Sequence, residues 1–138
     1  MSQILVDTNV LIYAFNVSSP KHKMAKSVLE GRGDLVLAHQ NLLEFLRVVT
    51  HPVYRKKIRL EMVNKFVGLL EDNLRVVYPT ELTWEIFKNL KIKYEVGGNL
   101  VFDTYLVATM LSWGIKRIVT DNQKDLGKFE EIGVVGLV

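Results

Sequence analysis

The sequence predicts an α/β protein, a three-layer sandwich whose central, mostly parallel five-stranded sheet is covered by helices. Two observations carry this prediction. Short runs such as ILV, LVLA and RIV are wholly apolar rather than alternating, as strands buried on both faces are. Longer segments with apolar residues at helical spacing separate these runs, the order of a parallel sheet with crossover helices. A chain of 138 residues with 49% hydrophobic content suits one compact domain over 1–138.

Taken in order, ILVD (4–7) reads as the first strand and NVLIYAFN (9–16) as a helix. SSPKHKMAKSVLEG (18–31) has a Ser-Pro start and a Gly stop, which predicts a helix with Pro20 in its first turn. DLVLAH (34–39) is a second strand. QNLLEFLRVVTH (40–51) is a helix that ends before Pro52. PVYRKKIR (52–59) reads as a basic connector, LEMVNKFVGLLEDN (60–73) as a helix, and LRVVYP (74–79) as a third strand closed by Pro79. The next helix, 80–95, takes Thr80 as its N-cap. VGGN (96–99) is a loop, and LVFDTYLVATMLSWG (100–114) is an apolar helix stopped by Gly114. KRIVT (116–120) and VVGLV (134–138) complete the strands. Trp84, Phe87, Leu90 and Trp113, at helical spacings, read as core.

Composition excludes several function classes. The absence of cysteine removes disulfide scaffolds, thiolate metal sites and cysteine hydrolases. The first residues lack the cationic region of a secretory signal, and no apolar stretch reaches the roughly 18 residues that span a bilayer. The expectation is a cytoplasmic protein without a membrane partner. A net charge of +3 permits a nucleic-acid partner without requiring one. No phosphate-loop pattern occurs, so GRG and VGG are turns. His22, His39 and His51 sit among basic or polar neighbours and read as structural or surface residues.

The carboxylates are more informative. In open α/β sheets ligands bind beyond the carboxyl ends of the strands. Asp7 and Asp121 both stand at such ends, so in a parallel sheet they share one edge. Asp103 begins the buried stripe of its helix, because at about 100° per residue Leu106, Val107 and Met110 share its face. No Lys or Arg occurs from Val96 to Ser112 to neutralise it. A lone ionised carboxylate there must be paired or coordinated. Glu44 shares a mixed face with Gln40, Arg47, Val48 and His51, and an exposed Glu44–Arg47 contact is its simplest explanation. Capping equally explains Asp7 and Asp121, and Asp125 reads as a surface or capping acid. Capping does not explain Asp103. Hard divalent cations take oxygen ligands and keep waters, which suits a crowded set of carboxylates.

With these residues in place the sequence resembles the PIN domains, most closely the VapC-type toxin ribonucleases, over essentially its whole length. LVDTNVLIYAF matches the opening strand, acid and helix of that family. NLLEFLRVVTHP matches its Glu-bearing helix, FDTYLVATMLSWG its third acid, and IVTDNQKDL its final strand and acidic loop, where the family often has Phe in place of Leu126. The resemblance implies a PIN-like fold and a Mg²⁺- or Mn²⁺-dependent endoribonuclease. Asp7, Glu44, Asp103 and Asp121 fall on its catalytic acids, with Asp7, Asp103 and Asp121 as metal ligands and Glu44 completing the shell or orienting water. Thr8, Asn9, Thr120 and Asp125 fall on supporting positions. Some members carry Asn at the place of Asp121 and rely on the later Asp. The resemblance further implies a homodimer and a small antitoxin protein as partner. The apolar faces of NVLIYAF and LEMVNKFVGLL are candidates for those contacts. Lys21, Lys23, Lys26, Arg55, Lys56, Lys57 and Arg59 are candidate RNA contacts, since cationic side chains position a phosphate backbone. Two other readings stand beside it: a non-catalytic PIN-like module that binds RNA or protein, and an α/β phosphatase or phosphoreceiver that uses Asp7.

Overall fold

The computed structural model describes residues 2–31, 33–55 and 58–138, without the side chains of Tyr54 and Arg55. Its elements run β1 (Ile4–Val6), α1 (Thr8–Phe15), α2 (His22–Gly31), β2 (Leu35–Ala38), α3 (His39–Val49), α4 (Pro52–Arg55) and α5 (Leu60–Asn73). They continue with β3 (Arg75–Val77), α6 (Thr83–Lys93), α7 (Leu100–Ser112), β4 (Arg117–Val119), α8 (Gln123–Leu126) and β5 (Gly133–Val135).

The sheet has the order β3-β2-β1-β4-β5, and every pairing is parallel rather than merely most of them. Its register sets Leu5 beside Val36 on one neighbour and Ile118 on the other. Side chains of a strand alternate between faces. Accordingly Leu5, Val36, Ala38, Val77 and Ile118 pack to one side, with Phe87 and Leu90 of α6 and Leu106, Val107 and Met110 of α7. Ile4, Val6, Leu35, Leu37 and Val119 pack to the other, with Val10 and Leu11 of α1, Phe45 of α3, and Val63 and Leu70 of α5. These two cores are the reason the strand sequences carry no polar alternation.

Phe45 fixes the orientation of α3. It is fully buried, edge-on to Phe15 at 5.6 Å and tilted against Phe66 at 5.3 Å. Such ring pairs add about 0.5–1.5 kcal/mol beyond burial itself. With Phe45 locked inward, the preceding residue, Glu44, lies about 100° round the helix.

Several boundaries differ from those the sequence predicts, each for a local reason. α2 starts at His22, so Pro20 lies in the turn before it. Ser19 closes that turn, its hydroxyl accepting from Lys21 N–H and its carbonyl from His22 N–H. Thr80 is not the N-cap of α6, which begins at Thr83. Thr80 Oγ1 accepts from Leu82 N–H, while Thr83 Oγ1 accepts from Thr80 N–H at 2.9 Å. Part of the expected connector is the short helix α4, and β5 starts one residue early and ends at Val135. Phe87 and Leu90 are core, but Trp84 and Trp113 are 57% and 41% exposed. Trp84 stacks on the outer side of Phe87 at 5.4 Å, and Trp113 lies under the Arg75 guanidinium at 4.9 Å. The expected glycine stop holds, with Gly114 at φ 72°. Among the described residues no helix is long and apolar enough to cross a membrane.

Candidate active site

The chain leaves β1 for β2 and β3 on one side of the sheet, and returns to β4 and β5 on the other. The order therefore reverses between β1 and β4, and a crevice opens at their carboxyl ends. Asp7 follows β1 and Thr120 follows β4, so both stand at that crevice.

Asp7 caps α1 in an extended conformation (φ −75°, ψ 157°). Its Oδ1 accepts from Thr8 N–H at 2.8 Å. Its Oδ2 accepts from Thr120 Oγ1 at 2.7 Å and from Asn9 Nδ2 at 3.3 Å. Asn9 also ties the two strand ends together, donating to Thr120 Oγ1 at 3.1 Å and accepting Asp121 N–H at 3.1 Å. Burial raises the Asp7 pKa despite these donors, and the Glu44 charge adds to the rise.

Glu44 belongs to the same network. Its Oε2 accepts from Thr8 Oγ1 at 3.1 Å and its Oε1 from Gln40 Nε2 at 2.8 Å. The Glu44–Arg47 contact does not form among the described residues, because both carboxylate oxygens are engaged elsewhere. Thr8 is itself oriented by Asn41 Nδ2 at 3.1 Å, and Asn41 Oδ1 accepts Ala38 N–H at 3.0 Å. Asn41 is fully buried. It went unremarked in the sequence, although its place one turn before Glu44 puts it on that face. Gln40 Nε2 also donates to the Phe102 carbonyl at 2.9 Å, which docks the first turn of α7 against α3. Gln40 Oε1 is buried without a partner among the described residues.

Asp103 stands in that first turn of α7, and Leu106, Val107 and Met110 beneath it are buried as expected. No hydrogen bond or ion pair reaches its carboxylate among the described residues. Burial pushes its pKa up to about 6, helped in turn by the charges of Asp7, Glu44 and Asp125, with Lys128 acting the other way. Three acids thus act on Asp103, namely Asp7, Glu44 and Asp125, and Glu44 acts on Asp7 as well.

Asp121, expected as a metal ligand, has donors of its own. Its Oδ2 accepts from Lys21 Nζ at 2.5 Å and from Tyr13 Oη at 2.8 Å. Those partners hold its pKa below the ordinary carboxylate range, Lys21 most strongly. The linear sequence did not connect these two donors to it. Lys21 is therefore paired, and it also lies over the Tyr13 ring at 5.5 Å. Lys23 and Lys26 are exposed on α2. Arg59 is paired with Glu61. Lys56, Lys57 and the side chain of Arg55 lie outside the described residues. His22 Nδ1 contacts the Tyr13 carbonyl at 3.0 Å, His39 stacks on Tyr78, and His51 accepts Val53 N–H at 3.2 Å.

Among the described residues no three His, Asp or Glu side chains already surround a common point at metal-ligand distance. The donor set still fits a hard divalent cation. It is all oxygen, it includes an unpaired half-buried carboxylate in Asp103, and Mg²⁺ is typically held by one or two carboxylates while keeping several waters. A sizeable concavity lies elsewhere. It has about 730 Å³ and is lined by residues of α1, α2 and α5 including Phe15, Leu29, Met62, Phe66 and Leu69.

Fold and site together define a class: a parallel α/β sheet with a carboxylate cluster in the crevice where the strand order reverses. The PIN domain pattern matches residues 4–133, and the chain belongs to the PIN domain family. Ribonuclease VapC48 of Mycobacterium tuberculosis is 31% identical over 137 residues, covering 93% of this chain and 92% of that protein. Ribonuclease VapC37 of the same species is 28% identical over 138 residues, with 93% and 92% covered. Among solved structures, VapBC2 from Rickettsia felis bound to a promoter DNA fragment aligns with a TM-score of 0.73 at 15% identity, covering 96% of this chain and 97% of that one. A toxin–antitoxin complex from Klebsiella pneumoniae aligns at 0.71 and 20% identity, covering 99% and 98%. At these identities the solved structures speak for the fold alone.

Proposed function

We propose that this protein is a Mg²⁺- or Mn²⁺-dependent endoribonuclease, the toxin of a cytoplasmic toxin–antitoxin pair. The observation that carries the reading is the junction of Asp7, Glu44 and Asp103 at one crevice, with Asp103 left without a hydrogen bond or ion pair among the described residues. The similarity to VapC48 and VapC37, both named ribonucleases, supports the same activity.

Asp7 and Asp103 would hold the cation, with Glu44 beside them and Asp125 as the further acid. A hard divalent cation supplies, when bound, Lewis acidity and charge compensation for phosphodiester hydrolysis. The chain's own part is orientation. Thr8 N–H, Asn9 and Thr120 fix both oxygens of Asp7, and Thr8 and Gln40 fix those of Glu44. Glu44 keeps lone pairs free to orient a water and accept its proton. The water oxygen bonds to phosphorus, the P–O3′ bond breaks, and the departing 3′ oxygen takes up a proton. The products carry 5′-phosphate and 3′-hydroxyl ends.

The concavity between α1 and α5 gives the antitoxin a place to dock, since Phe15, Phe66, Met62 and Leu69 present an apolar lining away from the acids. Both faces are those singled out in the sequence. The deciding experiment incubates purified protein with RNA in Mg²⁺ and in EDTA, beside Asp7→Asn, and maps the product ends. Cleavage confined to wild type in Mg²⁺ is expected. Equal cleavage by Asp7→Asn would remove the assignment.

A further inference from the structure

We propose that Tyr78, stacked on His39, forms a shelf that seats the nucleobase flanking the scissile phosphate of a single-stranded RNA, an inference that rests on the ribonuclease reading. Topology puts the shelf on the catalytic edge. Tyr78 directly follows β3 and His39 directly follows β2, as Asp7 follows β1, and the strands are parallel neighbours. Adjacent strands lie about 4.8 Å apart, so the Tyr78 backbone stands roughly 10 Å from that of Asp7. A strand whose phosphate lies over Asp7 carries its neighbouring base across this distance. Gln40, the residue after His39, donates from one nitrogen both to Glu44 and to the Phe102 carbonyl beside Asp103, which ties the shelf's backbone to the acids.

The Tyr78 ring is available for stacking, 55% exposed. His39 and Tyr78 have ring centroids 4.6 Å apart at an interplanar angle of 27°, so His39 backs one face of the phenol ring. The backbone behind the shelf is tied down, since Trp113 Nε1 donates to the Tyr78 carbonyl at 2.7 Å. Unstacked RNA bases are held by Tyr, Phe and His rings, and such stacking tolerates any base. The surroundings favour RNA over a protein partner. Through Gln40, the residue after His39, the shelf is joined to Glu44 of the acidic cluster, whereas the core of a protein interface is depleted in charge.

The test measures binding of a labelled mixed-sequence oligoribonucleotide by anisotropy in an Asp7→Asn background, where cleavage is blocked. Adding Tyr78→Ala should weaken binding at least fivefold, the low end of the loss for a base-stacking aromatic. Tyr78→Phe should bind like the parent. The penalty should vanish on one member of a set of oligoribonucleotides that each lack a base at a single position. Unchanged affinity in Tyr78→Ala, or an equal loss on every abasic oligoribonucleotide, overturns the shelf. A change of oligomeric state on size exclusion with RNA affinity intact also overturns it, and assigns the rings to a second copy of the chain. The nuclease reading is judged separately, by Mg²⁺-dependent cleavage in wild type. If that cleavage is absent while Tyr78 still governs RNA affinity, the shelf stands and the nuclease does not.

Discussion

The Thr120 hydroxyl donates to Asp7 Oδ2 at 2.7 Å, joining the ends of two neighbouring strands across 113 positions of sequence. Thr120 Oγ1 also accepts from Asn9 Nδ2 and from Asn122 N–H, and Thr120 is fully buried. One hydroxyl thus aligns the acid that caps α1 with the loop after β4.

Thr120→Val keeps the shape and removes that hydroxyl. Leaving buried partners unsatisfied costs about 1–3 kcal/mol each at most, so a net loss of about 1–2 kcal/mol in denaturant unfolding is expected. The Thr120 bond lowers the Asp7 pKa. Without it Asp7 holds its proton more tightly, and more Mg²⁺ should be needed for half-maximal RNA cleavage at pH 7.

Asp103→Asn should separate stability from activity. Asp103 has burial and three acids acting against its charge and no hydrogen bond of its own. The neutral amide relieves that repulsion. The metal-free variant should melt a few degrees higher than wild type at pH 7, by calorimetry, while RNA cleavage falls at least a hundredfold, on the order of the loss of a residue that acts in the transition state.

Stability should also depend on pH and metal together. The folded pKa of Asp103 is about 6, above its ordinary 3.8, and that of Asp7 is raised too. The folded state therefore binds more protons than the unfolded state between these values, and its stability falls as pH rises through them. The metal-free protein should lose about 1–2 kcal/mol between pH 4 and pH 7, allowing for the partial exposure of Asp103. Mg²⁺ should restore the loss at pH 7 and do nothing at pH 4. Urea titrations at both pH values check this.

Asp121 and Asp125 should behave in opposite ways. Asp121 is held ionised by Lys21 and Tyr13, so its contribution is present above pH 3.8 and fades as pH falls. Asp121→Asn should lower the melting temperature slightly at pH 7 and leave the Mg²⁺ dependence of cleavage intact. Asp125 acts on Asp103. Asp125→Asn should lower the Asp103 pKa, read by NMR titration of the side-chain carboxyl carbon, and weaken Mg²⁺ activation.

Leu69→Asp places a charge in the concavity between α1 and α5, at a residue 52% exposed. RNA cleavage should be unchanged. Co-purification with the cognate antitoxin should be lost, and with it the neutralisation of toxicity in cells that express both.

The sequence by itself determined the layered fold, the order of its main elements and the acids worth watching. Wholly apolar strands such as ILV have one stable use, burial on both faces, and an Asp that follows such a strand must emerge at its carboxyl end. The buried stripe beneath Asp103 was equally legible, because helical periodicity is a local property. Only the tertiary structure decided which acids meet. Glu44 enters through Thr8 and the buried Asn41, partners more than thirty positions apart along the chain. Asp121 is paired because the turn before α2 brings Lys21 within reach of its carboxylate. Trp84 and Trp113, core residues by spacing, stay 57% and 41% exposed, one stacked on Phe87 and the other under the Arg75 guanidinium. Hydrogen bonds and ion pairs of this kind depend on where side chains point after the elements have packed. Packing is a non-local outcome of burial, which no short stretch of residues encodes.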